Sequence, residues 1–202
     1  MRKIITAPTT HEDSLVAQGL SPIAGVDEAG RGSLAGAVVA CAVILPPGLV
    51  IEGVNDSKKL SPGRREALAK RIKEEALAYA FGIVDVDLIS GLNILHASLL
   101  AMRKAIEGLA VAPKIALIDG NKLPPNLPCE AYCIKQGDSA SHLIAAASIL
   151  AKVERDAMML NLHKKYPMYG FDKHKGYGTA AHKKALQEFG LCPQHREGFC
   201  HI

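Results

Sequence analysis

The feature that most constrains the fold is the unbroken apolar run AVVACAVIL at positions 37–45. Its β-branched residues, and the Pro-Pro-Gly that follows it, favour a buried β-strand. The longest apolar stretch that contains it, 34–45, is too short to cross a bilayer, which takes about 20 residues. The run therefore belongs inside a folded domain, and we expect no membrane association.

Short apolar strands alternate with helical patterns along the chain. The strands are predicted at 23–30, 37–45, 78–85, 114–120 and 130–138. The helices are predicted from Ser61 as N-cap to about Tyr79, and then at 92–109, about 140–162 and about 179–189. Residues 1–20 show weak patterning and are expected to fray. This order predicts an α/β fold, with a mixed β-sheet flanked by helices and a helical C-terminal segment.

Length and composition limit the class of protein. The chain has 202 residues, of which 49% are apolar and 22% charged, as in a soluble single domain. The absence of Trp and the low aromatic content argue against rows of base-stacking platforms. The net charge of +4 is compatible with a polyanionic partner but does not establish one. The odd number of cysteines (5) and the lack of a secretory signal predict a cytoplasmic protein with reduced thiols.

Acidic residues fall where predicted strands end. Asp27 and Glu28 lie near the end of the first strand, Asp119 ends another, and Asp138 precedes the long helix. Ligand sites of α/β sheets cluster at strand ends, so neighbouring strands would bring these carboxylates together. Their mutual repulsion would be relieved by a cation, and hard oxygen ligands favour Mg²⁺ or Mn²⁺ over zinc. Two such ions roughly 3.5–4 Å apart can catalyse a phosphoryl displacement.

A structural explanation competes for each of these acids, because an acid at a strand end is often a turn former or a helix cap. Asp138 and Ser139 could together cap the long helix. The adjacent pair of Asp27 and Glu28 is the part that capping explains least well.

Three loop elements are candidates for contact with a nucleic acid. Gly30 and Gly32 flank Arg31 and would let the backbone approach a sugar or phosphate, although a tight β-turn would use the same residues. Lys58, in a polar loop with Lys59, is suited to phosphate contacts or to plain solvation. Tyr177 lies between glycines and could stack on a base or sugar, or be a partly buried loop residue.

A dinucleotide-binding motif is a rival interpretation of the same glycines, with weaker support. Gly30, Gly32 and Ala35 match a loose dinucleotide-binding fingerprint, with Glu52 further on, but a β-branched run follows them where a helix is required. The acids at 27 and 28 would also repel a pyrophosphate.

The C-terminal tail and the long helix offer further candidate residues. Cys192, His195, Cys200 and His201 faintly suggest zinc, but their spacing is not that of a zinc finger. Asp156 stands four residues after Lys152 and is either its ion-pair partner or a support for the metal site.

Six stretches taken together resemble type 2 ribonuclease H (ribonuclease HII). They are GVDEAGRGSLAG, NDSKKLS, LNILHASLLAM, LIDGN, GDS with AAASILAKVERD, and YGFDKHKGYGT, in chain order from about 23 to 199. The resemblance implies an RNase H-like fold over 1–202, with a catalytic core at about 20–165 and a substrate-contacting segment at 166–202. It implies an endonuclease that cuts the RNA strand of RNA–DNA hybrids and nicks DNA duplexes 5′ of an embedded ribonucleotide, leaving 3′-hydroxyl and 5′-phosphate ends.

The resemblance also assigns roles to residues. It places the catalytic, Mg²⁺- or Mn²⁺-binding acids on Asp27, Glu28, Asp119 and Asp138. It makes the Gly30-Arg31-Gly32 element the reader of the ribose 2′-hydroxyl, and Tyr177 the sensor of the RNA–DNA junction. Gln136 departs from the family's Lys-Gly-Asp, so a lysine role is lost or passed to Lys135. The short tail shows no clear sliding-clamp motif, and we expect a monomer.

Two other classes stay open on the sequence alone. One is a non-catalytic nucleic-acid-binding domain that keeps the fold. The other is a different RNase H-like nuclease, such as a recombinase or Holliday-junction nuclease, which would cut all-DNA substrates.

Overall fold

The computed structural model describes residues 5–200 and builds them around one five-stranded sheet. The strands are β1 Ile23–Ala29, β2 Val38–Ile44, β3 Ala78–Val84, β4 Ile115–Asp119 and β5 Glu130–Ile134. Their order is β3-β2-β1-β4-β5. β1 pairs antiparallel with β2 and parallel with β4, and β4 pairs parallel with β5. The predicted mixed sheet is therefore confirmed, and the ends of β1, β4 and β5 share one edge.

Helices precede, connect and follow the strands. They are α1 Thr10–Ala17, α2 Pro62–Glu75, α3 Val86–Leu92, α4 Ile94–Glu107, α5 Gly137–Ala140, α6 His142–Lys165, α7 Phe171–His174 and α8 Ala180–Phe189. Short 3₁₀ turns lie at Ser57–Lys59, Pro167–Tyr169 and Glu197–Phe199. No helix between residues 5 and 200 is long and apolar enough to cross a membrane.

The two faces of the sheet carry separate cores. On one face, alternate residues such as Val43 and Leu117 pack with α6 and with Ile72 of α2. On the other face, residues such as Val26 and Ile118 pack against α4. Because side chains alternate along a strand, each strand contributes residues to the cores on both faces of the sheet. A third cluster joins the end of α6 to the C-terminal helices.

The helices approach the sheet closely at two glycines. A Cβ at Gly25 of β1 would lie 2.2 Å from the carbonyl carbon of Leu143 in α6. A Cβ at Gly82 of β3 would lie 1.9 Å from the carbonyl oxygen of Ala101 in α4. Both contacts are with helix backbone, which a side-chain movement cannot relieve.

Several predicted element boundaries were wrong. The helix expected to reach Tyr79 ends at Glu75, because the Leu77 N–H bonds to the carbonyl of Ile44 and starts the pairing of β3 with β2. The strand expected to end on Asp138 ends at Ile134, and Asp138 lies in α5. The long helix is capped by Ser141, whose hydroxyl accepts a hydrogen bond from the Ile144 N–H, so Asp138 and Ser139 do not cap it.

Four helices were not anticipated, namely α1, α3 and the short helices α5 and α7. Residues 10–17 of the segment expected to fray form α1, while residues 1–4 lie outside the described range. Glu12 of α1 is buried and accepts hydrogen bonds from the Ser141 hydroxyl and the Leu143 N–H, which ties α1 to the start of α6. The sequence also gave no prediction for α3.

The approach at Gly25 can be tested by adding one methyl group. Gly25→Ala places a Cβ inside the backbone of α6, and we expect it to lower the free energy of unfolding by about 3 kcal/mol. Gly63→Ala is the control: nothing lies within 4 Å of its Cβ, and helix α2 should gain about 0.5 kcal/mol. Urea unfolding of both variants measures the difference. Equal effects would contradict the packing described at Gly25.

Candidate active site

The acids of β1 and β4 lie side by side on one face of the sheet. The parallel register pairs Val26 with Ile118, so Asp27 and Asp119 are the next residues on adjacent strands. Gly25 faces α6, and Asp27, two residues later, points to the same side. Only 4% of Asp27 is exposed, and its carboxylate lies beneath α6.

Asp27 accepts a main-chain hydrogen bond but is surrounded by negative charge. Its Oδ1 accepts from the Glu28 N–H at 2.7 Å, and the nearby hydroxyl of Ser148 in α6 lowers its pKa. Ser148 Oγ lies 2.9 Å from the Ser57 hydroxyl, which connects the Lys58 loop to this acid. Burial raises the pKa of Asp27 well above its usual range, and Glu28 and Asp119 raise it further.

Glu28 and Asp119 share this electrostatic setting. Burial raises the pKa of Glu28, Arg31 opposes the rise, and Asp119 adds to it. The nearest nitrogen of Arg31 lies 3.9 Å from Glu28 Oε1. Burial also raises the pKa of Asp119, although the Gly137 N–H donates to its Oδ1 at 2.7 Å.

Asp138 reaches the same area from the short helix α5. It is buried, and its Oδ2 lies 3.4 Å from Lys58 Nζ. Gln136, the residue that departs from the family pattern, has left-handed backbone angles (φ 55°, ψ 40°) and turns β5 into α5. Its side chain and that of Lys135 are both exposed.

The donor chemistry of this area suits a hard cation. The candidate ligands are carboxylates, and the raised pKa values of Asp27, Glu28 and Asp119 show negative charge crowded into a buried place. As placed in residues 5–200, no three His, Cys, Asp or Glu side chains form a ready-made metal-binding group. Asp138 instead pairs with the ammonium of Lys58, so a metal would require these side chains to rearrange.

The Gly-Arg-Gly element lies directly beyond β1. Gly30 has φ +95°, and a Cβ there would come within 2.0 Å of Arg155 Nε. Gly32 has open space around it, and Arg31 is exposed. The loop therefore packs on Arg155 at Gly30, while its main chain at Gly32 is open to a ligand.

Two buried arginines hold this loop through its carbonyl groups. Arg155 of α6 is 1% exposed and donates to the carbonyls of Ala35, Ala37 and Lys175 at 3.0–3.1 Å. Arg196, also 1% exposed, donates to the carbonyls of Arg31, Ser33 and Gly36 at 2.6–3.1 Å. Burial, and then the neighbouring Arg155, lower the pKa of Arg196 to about 10.

Sequence reasoning missed both arginines. Each stands in a charged stretch that is typical of a solvated surface, and nothing local shows that distant carbonyl groups surround it. The Ser57–Ser148 pair was also missed, because its two hydroxyl groups are 91 positions apart in the chain.

Tyr177 lies beside the Gly-Arg-Gly loop. Ser33 and Tyr177 form an antiparallel bridge, and the Leu34 N–H donates to the Gly176 carbonyl at 2.8 Å. The tyrosine is half-buried, with Arg155 Cζ 5.3 Å and Lys152 Nζ 5.4 Å from its ring centroid. The loop at 30–36 and Tyr177 thus form one surface.

Asp156 links the long helix to the Lys58 loop. It accepts from Lys152 Nζ at 2.6 Å, as the i,i+4 spacing predicted, and lies 3.8 Å from Arg65 Nη2. Arg65 donates to the carbonyls of Ser57 and Leu60, which flank Lys58 and Lys59. Asp156 therefore supports the loop that carries Lys58.

The rival motifs find no support in the structure. Strand β2, with no helix before it, follows the Gly30-x-Gly32 turn, so the dinucleotide-binding geometry is not formed. In the tail, His195 bonds to Cys192 and His182, and Cys200 Sγ lies 3.6 Å from the Leu34 carbonyl. His201 lies outside the described range.

The raised pKa of Asp27 makes stability depend on pH. A carboxyl whose pKa is higher in the folded chain opposes folding once it ionises, so the cost is absent below the unfolded pKa of about 4 and grows as pH rises toward the folded value. Asp27→Asn keeps the acceptor oxygen and removes the charge. We expect the metal-free variant to be more stable than the parent by about 1 kcal/mol or more at neutral pH.

Urea unfolding in EDTA from about pH 4, near the unfolded pKa of an aspartate, to about pH 8 measures this effect. The gap between variant and parent should widen as the pH rises. A gap that stays constant over this range would show that Asp27 is not destabilised by its burial.

Comparison with known proteins shows the family to which the chain belongs. The profile of the family described as Ribonuclease HII matches residues 24–202. The Ribonuclease HII of Xylella fastidiosa (strain M12) is 55% identical over 181 residues, which cover 89% of this chain and 77% of that protein.

Solved structures agree with this match. The ribonuclease H2 of Pyrococcus horikoshii OT3 has a TM-score of 0.75 at 25% identity, over 88% of this chain and 94% of that one. A chain of the PCNA:RNase HII complex from Archaeoglobus fulgidus has a TM-score of 0.68 at 27% identity, over 86% and 93%. With sequence and sheet in agreement, the chain belongs to the ribonuclease HII family and is a ribonuclease H endonuclease that acts on RNA–DNA hybrids.

Proposed function

We propose that this enzyme also nicks DNA duplexes 5′ of an embedded ribonucleotide, and that it cuts by two-metal hydrolysis, leaving 3′-hydroxyl and 5′-phosphate ends. The observation that carries the proposal is the continuity of β1: Asp27 and Glu28 lead within two residues into a loop whose backbone is held from behind by buried arginines. The 2′-hydroxyl that distinguishes RNA from DNA is next to the phosphate that is cleaved, so both groups must be met at one place.

The four acids are the residues that would hold the metal. Asp27, Glu28, Asp119 and Asp138 supply hard oxygen ligands of the kind that Mg²⁺ or Mn²⁺ prefers. When bound, two such ions supply a lowered pKa for the attacking water and charge stabilisation for the departing 3′-oxygen. Lys58 lies 3.4 Å from Asp138 Oδ2, so its ammonium is placed to exchange that carboxylate for a substrate phosphate.

The loop at 30–32 and Tyr177 recognise different sugars of the substrate. The backbone of Gly30-Arg31-Gly32 reads the ribose 2′-hydroxyl, and the open space around Gly32 leaves room for a sugar. Tyr177, bridged to Ser33, tests whether the next sugar is a deoxyribose. In this proposal the enzyme acts as a cytoplasmic monomer whose partners are RNA–DNA hybrids and DNA duplexes that contain ribonucleotides.

The metal-binding role of Asp27 predicts a loss of cleavage. Asp27→Asn should lower the cleavage rate in Mg²⁺ or Mn²⁺ by more than about 100-fold, because a ligand that positions the ions is lost. The assay uses a labelled duplex with one ribonucleotide, a uniform RNA–DNA hybrid and an all-DNA duplex, each with and without EDTA. Asp87→Asn on exposed α3 is the matched control and should cleave at the parent rate.

Each alternative has its own outcome in this assay. Parent-like cleavage by Asp27→Asn would overturn the metal-binding role. Cleavage of the all-DNA duplex would indicate another RNase H-like nuclease, and binding without any metal-dependent product would indicate a non-catalytic domain.

The junction-sensing role of Tyr177 predicts a change in preference. Tyr177→Ala should lower kcat/KM on the single-ribonucleotide duplex by about tenfold, and affect the uniform hybrid less, because only the former has a junction beside the cleavage site. Tyr79→Ala, an exposed tyrosine on the edge strand β3, serves as the control. An unchanged ratio between the two substrates would show that Tyr177 has no such role.

A further inference from the structure

Three imidazole rings lie together next to the main chain of Tyr177. His182 of α8 is 0% exposed, and its ring centroid lies 4.3 Å from that of His174 and 5.3 Å from that of His195. Phe171 packs edge-on against His182 at 5.5 Å. We call His174, His182 and His195 the histidine cluster.

Hydrogen bonds assign the protons of two of these rings. His195 Nδ1 lies 2.9 Å from the Cys192 N–H and 3.3 Å from the Cys192 carbonyl. The N–H is nearer, and the carbonyl already accepts from the His195 main-chain N–H at 2.9 Å, so we assign Nδ1 as an acceptor and the ring proton of His195 to Nε2. His195 Nε2 lies 3.1 Å from His182 Nε2, which must then be the acceptor. The proton of His182 is therefore on Nδ1, which donates to the Tyr177 carbonyl at 3.0 Å.

The result is a hydrogen-bond chain with a single direction. It runs from the Cys192 N–H through His195 and His182 to the carbonyl of Tyr177. Both rings must be neutral, because a second proton on either would face a donor or leave the Cys192 N–H without an acceptor. Burial lowers the pKa of His182 and, together with the neighbouring His182, lowers that of His195 to about 4, which supports the neutral state.

This chain ends on the residue to which the proposed function gives junction sensing. The Tyr177 carbonyl also accepts from the Thr179 N–H at 2.8 Å, and the Tyr177 N–H donates to the His174 carbonyl at 2.9 Å. The histidine cluster thus fixes the main chain at 177 while Arg155 and Lys152 face the ring.

We propose that His182 is a positioning residue for junction recognition, set in one tautomer by His195 and holding Tyr177 by its carbonyl. The proposal rests on the proposed role of Tyr177 in reading the RNA–DNA junction. It assigns a purpose to residues of the tail, 192–195, whose Cys and His content had suggested zinc.

Two substitutions at one position separate the two bonds of His182. His182→Asn keeps a donor where Nδ1 stands and loses the acceptor for His195, whereas His182→Gln keeps a group near Nε2 and loses the donor to Tyr177. We expect His182→Gln to lower the ratio of kcat/KM for the single-ribonucleotide duplex over the uniform hybrid by about fivefold, the scale of one lost buried hydrogen bond. His182→Asn should keep the ratio within about twofold of the parent value.

A matched control separates positioning from stability. His142→Asn removes the Nε2 acceptor of another buried histidine, which accepts from the Ile51 N–H and lies far along α6 from Tyr177. It should lower the melting temperature without changing the substrate ratio. If His182→Gln and His182→Asn change the ratio equally, or if neither changes it, the proposal is overturned. A parent enzyme with no preference between the two substrates would overturn the proposed junction sensing itself, and this inference with it.

A measurement on the unaltered protein covers the case in which a variant does not fold. Nitrogen NMR of ¹⁵N-histidine distinguishes ring nitrogens that carry a proton from those that do not. We expect a neutral His182 with its proton on Nδ1 and a neutral His195 with its proton on Nε2. A His182 ring that is charged at neutral pH, or protonated on Nε2 alone, would overturn the proposal.

Discussion

The close packing of α6 on β1 is the contact on which the rest of the structure depends. Because Gly25 has no side chain, the backbone of α6 at Leu143 lies directly on the central strand. That approach places Ser148 against Asp27 and, two turns later, Arg155 behind Gly30. One helix therefore positions both the acidic end of β1 and the loop that follows it.

Charge is distributed unevenly around this helix. At the strand ends, burial and mutual repulsion raise the pKa of three carboxyl groups, which leaves them in need of positive charge. Behind the loop, Arg155 and Arg196 are buried against main-chain carbonyls. A buried guanidinium is costly unless its donors are satisfied, and these carbonyls satisfy them while fixing the path of the loop. The crowded carboxylates suit the binding of a cation, whereas the buried arginines hold the main chain of the loop in one conformation.

Much of the fold followed from local patterns in the sequence. The apolar run at 37–45 predicted a buried strand and became β2, and the acids at strand ends predicted the neighbourhood of Asp27 and Asp119. Both predictions rest on the hydrophobic pattern of a short stretch of sequence and on the position of the acids within it. The meander of β1 to β3, and the later alternation with helices, likewise gave the mixed sheet.

Other features depend on partners that no local window shows. Helix α1 was missed because its buried Glu12 meets Ser141, 129 positions later in the chain. Arg155 and Arg196 gave no signal because most of their acceptors are carbonyls of residues 31–37, more than a hundred positions away. The strand-end pattern predicted Asp138 near the other acids, but not that it reaches them from the short helix α5, which depends on the left-handed turn at Gln136.

The contacts of Arg196 have a consequence for how the protein matures during synthesis. Residues 30–36 leave the ribosome early, with the strands that flank them, but the guanidinium that holds the carbonyl of Gly36 is made 160 positions later. At typical elongation rates this is a delay of roughly 10–30 s, during which the sheet can begin to assemble while the loop lacks its support. The nascent chain would thus have its acids before it has a fixed loop beside them, and the selectivity proposed for that loop would be acquired last.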